Sequence, residues 1–162
     1  MTEDARFDDG RQSALRLRAL DADDLQVISA LVQDAVFPIT EMSWKRRHRR
    51  FALLLNRFRW EDAPAAERHK RSFERAQAVL TIEDVQRVAT QGLDLSDRDA
   101  VLSILSIGFE PGEDGTGRLV LTLAGDGAVA IDVECLEVTL RDVTRPYVAP
   151  SGRAPSHPGA GG

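Results

Sequence analysis

The pattern of hydrophobic and polar positions predicts one amphipathic helix near the start of the chain. Leu15 and Leu17 alternate with arginines, which is typical of a short strand. Asp21 then stands where a helix N-cap is expected, and Pro38 marks the end because a residue preceding proline disfavours the helical conformation. The hydrophobic positions between them have helical spacing: Leu25, Ile28, Leu31, Val32 and Ala35. The predicted helix spans roughly residues 22–36.

Beyond this helix the hydrophobic period changes to two, which predicts strands. They fall near residues 42–44, 51–60, 73–83, 100–109, 119–123 and 129–133. Residues 85–93 suit either a strand or a loop, and residues 136–143 suit either a short helix or a bulged strand. Gly125-Asp126-Gly127 predicts a tight hairpin turn. We therefore predict an α+β fold, with the N-terminal helix packed on a curved, mostly antiparallel sheet of about six or seven strands.

Composition sets the domain boundaries and the compartment. Residues 1–13 and 149–162 are too poor in apolar side chains to fold, so we expect two disordered tails around a single domain at 14–148. A single cysteine, Cys135, excludes an intrachain disulfide and fits a reducing compartment. No apolar run approaches the length that a membrane span needs. We expect a cytoplasmic protein with no membrane partner.

Positive charge is concentrated in residues 44–75. This segment contains eleven Lys/Arg and four Asp/Glu, a net charge of +7, whereas the whole chain has −5 and the remainder therefore −12. Such a segment predicts a non-catalytic binding module for an acidic protein or RNA, with aromatic side chains among the arginines. The alternative is a solvated hairpin tip that protects a sheet edge. The candidate binding residues are Trp44, Arg46, Arg47, Arg49, Arg50, Asn56, Arg57, Arg59 and Trp60, of which the arginines at 46–50 are expected to be exposed.

A second hypothesis places a small anion pocket beside Asn56, Arg57 and Trp60. Arginine binds carboxylate or phosphate bidentately, and the aromatic ring would supply an apolar wall. The structural alternative makes Asn56 a buried group at a bulge and puts Arg57 at the end of the sheet. On the pocket hypothesis the protein binds a small metabolite or acts as a minor enzyme, and a concave pocket must exist beside these residues.

No catalytic, cofactor or metal site is predicted. His48, His69 and His157 lack zinc spacing with Cys135, which we expect to be buried. The aspartates at 94, 97 and 99 suit turns better than a calcium loop. The glycines at 112, 115 and 117 lack the strand–turn–helix context of a phosphate loop.

Several segments together resemble a bacterial domain-of-unknown-function family, number 2948. They are Leu15 to Val36, Arg49 to Glu61, Asp99 to Leu105, Phe109 to Glu113 and Val133 to Cys135. The resemblance covers nearly all of the predicted domain and implies a cytoplasmic bacterial protein, but no activity. Members of that family are encoded near histidinol dehydrogenase, which would link the metabolite-binding hypothesis to histidine biosynthesis by gene neighbourhood alone.

Overall fold

The structure is a computed structural model that describes residues 14–68, 74–144 and 147–148. Within these residues lie two α-helices, α1 (Ala22–Leu31) and α2 (Ala63–Arg68). The strands are β1 (Arg16–Ala19), β2 (Val36–Pro38), β3 (Met42–Lys45), β4 (Arg50–Phe58), β5 (Glu74–Ile82), β6 (Val85–Gln91), β7 (Val101–Pro111), β8 (Gly117–Leu123), β9 (Ala128–Val133), β10 (Val138–Asp142) and β11 (Tyr147–Val148). Single 3-10 turns occur at Ile39–Glu41, Arg46–His48, Trp60–Asp62 and Glu113–Gly115.

All strand pairings among the described residues are antiparallel, in the order β1-β10-β5-β4-β2-β7-β8-β9-β6. β3 adds to β4 and β11 adds to β5. The α+β class is confirmed, but eleven strands exceed the predicted six or seven. Two of the extra strands, β2 and β11, have only two or three residues, which are too few to show an alternating pattern, and two more, β6 and β10, fall on segments that the sequence left undecided. Curvature of the sheet stays a prediction.

Helix α1 begins where the sequence predicts and ends earlier. Asp24 donates its backbone N–H to Asp21 Oδ1 at 2.8 Å, which is the expected N-cap bond. The helix ends at Leu31 because Asp34 takes a left-handed conformation (φ 65°) and Val36 already pairs with β4 and β7. The hydrophobic pattern continued to residue 36 because Val32 and Ala35 are buried in the following turn.

β7 does not present the face that its sequence predicts. The alternation in this segment predicts that Val101, Leu105, Ile107 and Phe109 share a face, but Val101 is 66% and Leu105 38% exposed, whereas Ile107 is buried. The register with β8 shifts between Ile104 and Ser106, so the pleat changes phase there. Ile104 and Ile107 are buried instead. The backbone N–H of Ile107 donates to Ser29 Oγ on α1 at 2.9 Å, which fixes the bulge against the helix.

The remaining elements resolve the alternatives left by the sequence. Residues 85–91 and 138–142 are both strands. The β8–β9 hairpin is confirmed, and Gly125 and Asp126 both have positive φ (83° and 71°) as its turn requires. The expected tails fall on residues that the structure does not describe.

Strands β1, β10, β5 and β4 lie side by side and define two faces of the sheet. One row across them is Ala19, Val138, Ile82 and Phe51, all buried in the core below α1. The next row is Arg18, Thr139, Thr81 and Ala52, which points the other way. Because side chains alternate along each strand, the second row belongs to the outer face, which carries arginines and threonines.

Candidate functional site

The positive charge near residue 46 sits on the turn that joins β3 to β4. We call residues Lys45–Arg50 the basic turn; it consists of the last residue of β3, the 3-10 turn Arg46–His48, Arg49, and the first residue of β4. All six side chains are exposed. The predicted exposure of Arg46, Arg47, Arg49 and Arg50 is therefore confirmed.

The backbone of the basic turn is fixed at both ends. The N–H of Arg49 donates to the carbonyl of Arg46 at 3.0 Å, and the carbonyl of Arg49 accepts from the N–H of Val85 at 2.9 Å. Arg49 has a left-handed conformation (φ 51°, ψ 46°), which glycine or asparagine would adopt more readily than arginine. The turn thus presents its cations from a rigid support.

The basic turn is only partly neutralised. Arg49 pairs with Glu134 at 2.6 Å and Arg50 with Glu83 at 3.0 Å. The hydrogen bond to Glu134, with the attraction of its charge, raises the pKa of Arg49. Lys45, Arg46 and Arg47 form no ion pair with any acid in the described residues. Arg46 instead lies over the ring of Trp44, 4.5 Å from its centroid, and Trp44 is half-buried.

A second group of charges surrounds two buried arginines of the same segment, Arg57 and Arg59. Arg57 follows Leu55 on the core face of β4 and is fully buried, as is its partner Asp142 at the end of β10. Arg57 Nε and Nη2 donate to the two oxygens of Asp142, both at 2.9 Å. Its Nη1 and Nη2 donate to the two oxygens of Glu61 at 2.9 and 2.8 Å. Arg59 is 2% exposed and pairs with Glu74 at 2.5 Å. We call these five residues the buried charge cluster.

The buried charge cluster leaves no place for an anion on Arg57. Burial alone would lower the pKa of Arg57, but its hydrogen bonds to Asp142 and Glu61 outweigh that and raise it above the ordinary value. Both flat edges of the guanidinium are occupied by carboxylates of the chain itself. Asp142 also accepts the backbone N–H of Leu15 at 2.9 Å, so the cluster joins β1, β4 and β10.

The other residues at the predicted pocket make contacts within the fold. Trp60 Nε1 donates to the carbonyl of Gln33 at 2.8 Å, which ties the end of β4 to the end of α1. Phe58 is buried and meets the Trp60 ring edge-on, with centroids 4.6 Å apart. Asn56 is half-buried in an unbroken β4–β5 register, so the bulge expected there is not found.

Comparison with known proteins identifies the family. A family model described as "Protein of unknown function (DUF2948)" matches residues 15–157. The chain belongs to the DUF2948 family. No curated protein and no solved structure gives a significant match. The family match spans both the basic turn and the buried charge cluster and describes a function for neither.

For two residues of this DUF2948 chain, Cys135 and Asp142, the structure differs from what the sequence predicted. Cys135 is exposed, not buried, because it lies in the turn after β9, where its thiol meets Asp84 Oδ2 at 3.0 Å. Asp142 was missed as a partner of Arg57. The alternation Val138, Leu140, Asp142 could have revealed it, since period two puts this carboxylate on the apolar face of β10.

The acidic loop after β6 has turn geometry. Asp94 accepts the N–H and hydroxyl of Ser96, and Asp97 accepts the N–H of Asp99, as expected for turn aspartates. Among residues 14–68, 74–144 and 147–148, no group of three or more His, Cys, Asp or Glu is arranged to hold a metal ion. Nor do these residues include a helix long and apolar enough to cross a bilayer.

Proposed function

We propose that this protein is a non-catalytic binding module whose basic turn binds an acidic segment of a protein partner. The observation that carries the proposal is the set of exposed cations at Lys45–Arg50, three of which have no acid partner among the described residues. A rigid scaffold that displays charged side chains on a loop is a common arrangement for binding. The left-handed Arg49 supports this, because strain at a loop residue points to a role beyond folding.

A protein partner fits the surroundings of the turn better than RNA does. Binding to single-stranded RNA relies on exposed aromatic faces for base stacking. Here Arg46 covers Trp44, and Phe58 is buried. The pairs of Glu83 with Arg50 and of Glu134 with Arg49 leave a small patch of three uncompensated cations, which a short acidic segment can match.

Fluorescence anisotropy with two probes of equal length tests the proposal. One probe is a peptide of alternating glutamate and serine, and the other is single-stranded poly-uridine RNA. We expect the peptide to bind with moderate salt dependence and the RNA to bind more weakly at the same ionic strength. The double variant Arg46→Ser/Arg47→Ser should lose the peptide.

Arg87→Ser/Arg98→Ser is the matched control, since it removes two exposed arginines from β6 and the following loop. It should bind the peptide like the wild type. Equal loss in both double variants would show that net charge alone governs binding and would refute the role of the basic turn. Tighter binding of the RNA would refute the choice of a protein partner.

A further inference from the structure

The outer face of the sheet contains a depression that shares only Arg50 with the basic turn and no residue with the buried charge cluster. Its volume is about 460 Å³, and it lies across strands β1, β10, β5 and the start of β4. Four arginines border it, with two threonines between them: Arg16, Arg18, Arg50, Arg141, Thr81 and Thr139. We call these six residues the arginine face. The size is in the range of small-molecule sites.

Two of the four arginines are not neutralised. Arg18 pairs with Glu137 at 2.7 Å, and Arg50 pairs with Glu83, which is the one acid among the residues that line the depression. Arg16 and Arg141 form no ion pair with any acid in the described part of the chain. The face therefore carries two uncompensated positive charges, although the whole chain has a net charge of −5.

The strand register forces these two cations together. Arg16 and Arg141 are directly opposite each other in the β1–β10 pair. The N–H of Asp142 donates to the carbonyl of Leu15, so the next pair along, Arg16 with Arg141, is a non-hydrogen-bonded pair, in which side chains are closest. Like charges directly opposite destabilise a sheet. An arrangement that is unfavourable in the free protein is explained if an anion relieves it.

We propose that the arginine face binds a phosphate monoester, held between Arg16 and Arg141. Such a group carries a charge of about −1.5 to −2 near neutral pH and so matches the two uncompensated cations, whereas one carboxylate would match only one. Guanidinium groups bind phosphate oxygens bidentately. Thr139 precedes Arg141 by two residues on the same face and stands opposite Thr81, so two hydroxyls lie beside the phosphate position. The ester's organic part would extend over Val79, which is half-buried on the depression's floor.

The test is a titration of the full chain, followed by two-dimensional NMR, with inorganic phosphate, phenyl phosphate and succinate, each at constant ionic strength. We expect saturable shifts of the Thr81 and Thr139 amides with both phosphates, and tighter binding of the ester. Arg16→Thr/Arg141→Thr should weaken binding by about tenfold or more, the loss expected for a charged hydrogen bond. The control Arg87→Thr/Arg98→Thr should change it less than about twofold.

Three results would overturn the proposal: shifts that never saturate, equal weakening in both double variants, or succinate binding as tightly as phenyl phosphate. Unfolding is not a confounding outcome, because removing two repelling arginines should leave the variant at least as stable as the wild type. No acidic peptide enters this assay. A failure here thus leaves the proposal for the basic turn standing, and a failure of peptide binding leaves this one standing.

Discussion

The basic turn and the buried charge cluster come from one stretch of sequence and use the same residue type in opposite ways. At Lys45–Arg50 the cations face water, and their pairs with Glu83 and Glu134 are exposed. Only seven residues after Arg50, Arg57 is fully buried between two carboxylates. Arg57 is buried because it points to the same face of β4 as Leu55, which is the core face. It also lies at the end of this strand, where the carboxylates of Asp142 and Glu61 can reach it. Arginine content alone therefore does not define the binding surface.

Breaking the buried charge cluster should have the largest effect on stability. Arg57→Met leaves Asp142 buried without its cation, and removing one member of a buried ion pair costs about 3–5 kcal/mol. Urea denaturation followed by circular dichroism measures the loss. The control is Arg118→Met, which removes the exposed pair with Asp132 and should change the unfolding midpoint far less. Equal midpoints for the two variants would mean that the cluster does not stabilise the fold.

Asp142→Asn should have a smaller effect than Arg57→Met. The amide oxygen can keep the contacts with Leu15 and Arg57 Nη2, and Glu61 still pairs with Arg57, but the charge of Asp142 and its hydrogen bond from Arg57 Nε are lost. We expect a cost of roughly 1.5–3 kcal/mol, as for a hydrogen bond to a charged group. The same urea series gives the value. A cost greater than that of Arg57→Met would show that the pair with Glu61 does not compensate Arg57 once the charge of Asp142 is removed.

Changing the basic turn should separate binding from folding. In the variant with serine at positions 46, 47, 49 and 50, two exposed ion pairs and the contact of Arg46 with Trp44 are lost, and mutual repulsion is relieved. Exposed pairs contribute little, so the melting temperature should fall by only a few degrees. Calorimetry measures this, while the peptide assay should show loss of binding. A large fall in melting temperature with binding retained would reverse the roles assigned to the two regions.

The sequence predicted the fold class, the helix start and the exposure of the basic turn because each depends on local patterns. Asp21 caps its own helix, and the alternation in Ala76, Ala78, Leu80 and Ile82 places β5 without knowledge of its neighbours. The fate of Arg57 depends on Asp142, which is 85 residues away. No local pattern encodes that pairing.

The arginine face was missed for the same physical reason. Arg16 and Arg141 are 125 positions apart in the chain and become neighbours only when β1 pairs with β10. Counting charge along the sequence drew attention to residues 44–75, where Arg57 and Arg59 contribute nothing to the surface. Segment charge is a poor guide in a sheet whose neighbouring strands are distant in sequence.

A single substitution on the arginine face should raise stability slightly. Arg141→Thr removes the repulsion with Arg16 and places a β-branched residue in a strand, both of which favour the sheet. We expect a gain of a few tenths of a kcal/mol in the free protein, measured by urea denaturation without phosphate. Added phosphate should stabilise the wild type and not the variant. A loss of stability would show that the two guanidinium groups do not oppose each other.

The smallest expected effect concerns the exposed thiol of Cys135 and the neighbouring carboxylate of Asp84. The hydrogen bond to Asp84, together with partial burial, raises the pKa of the Cys135 thiol. The neutral thiol is therefore favoured, and the thiolate that reacts with iodoacetamide is scarcer at about pH 8 than for an ordinary cysteine.

Asp84→Asn removes the largest cause of the raised thiol pKa and keeps a residue type that tolerates the left-handed backbone at this position (φ 56°). Alkylation followed by mass spectrometry should be several times faster in this variant at about pH 8 and should converge with the wild type once the pH exceeds both pKa values. Glu137→Gln, which removes the weakest of the contributing charges, is the control and should accelerate the reaction less. If Asp84→Asn reacts at the wild-type rate while Glu137→Gln reacts faster, the thiol responds to the general charge of this turn and not to its hydrogen bond.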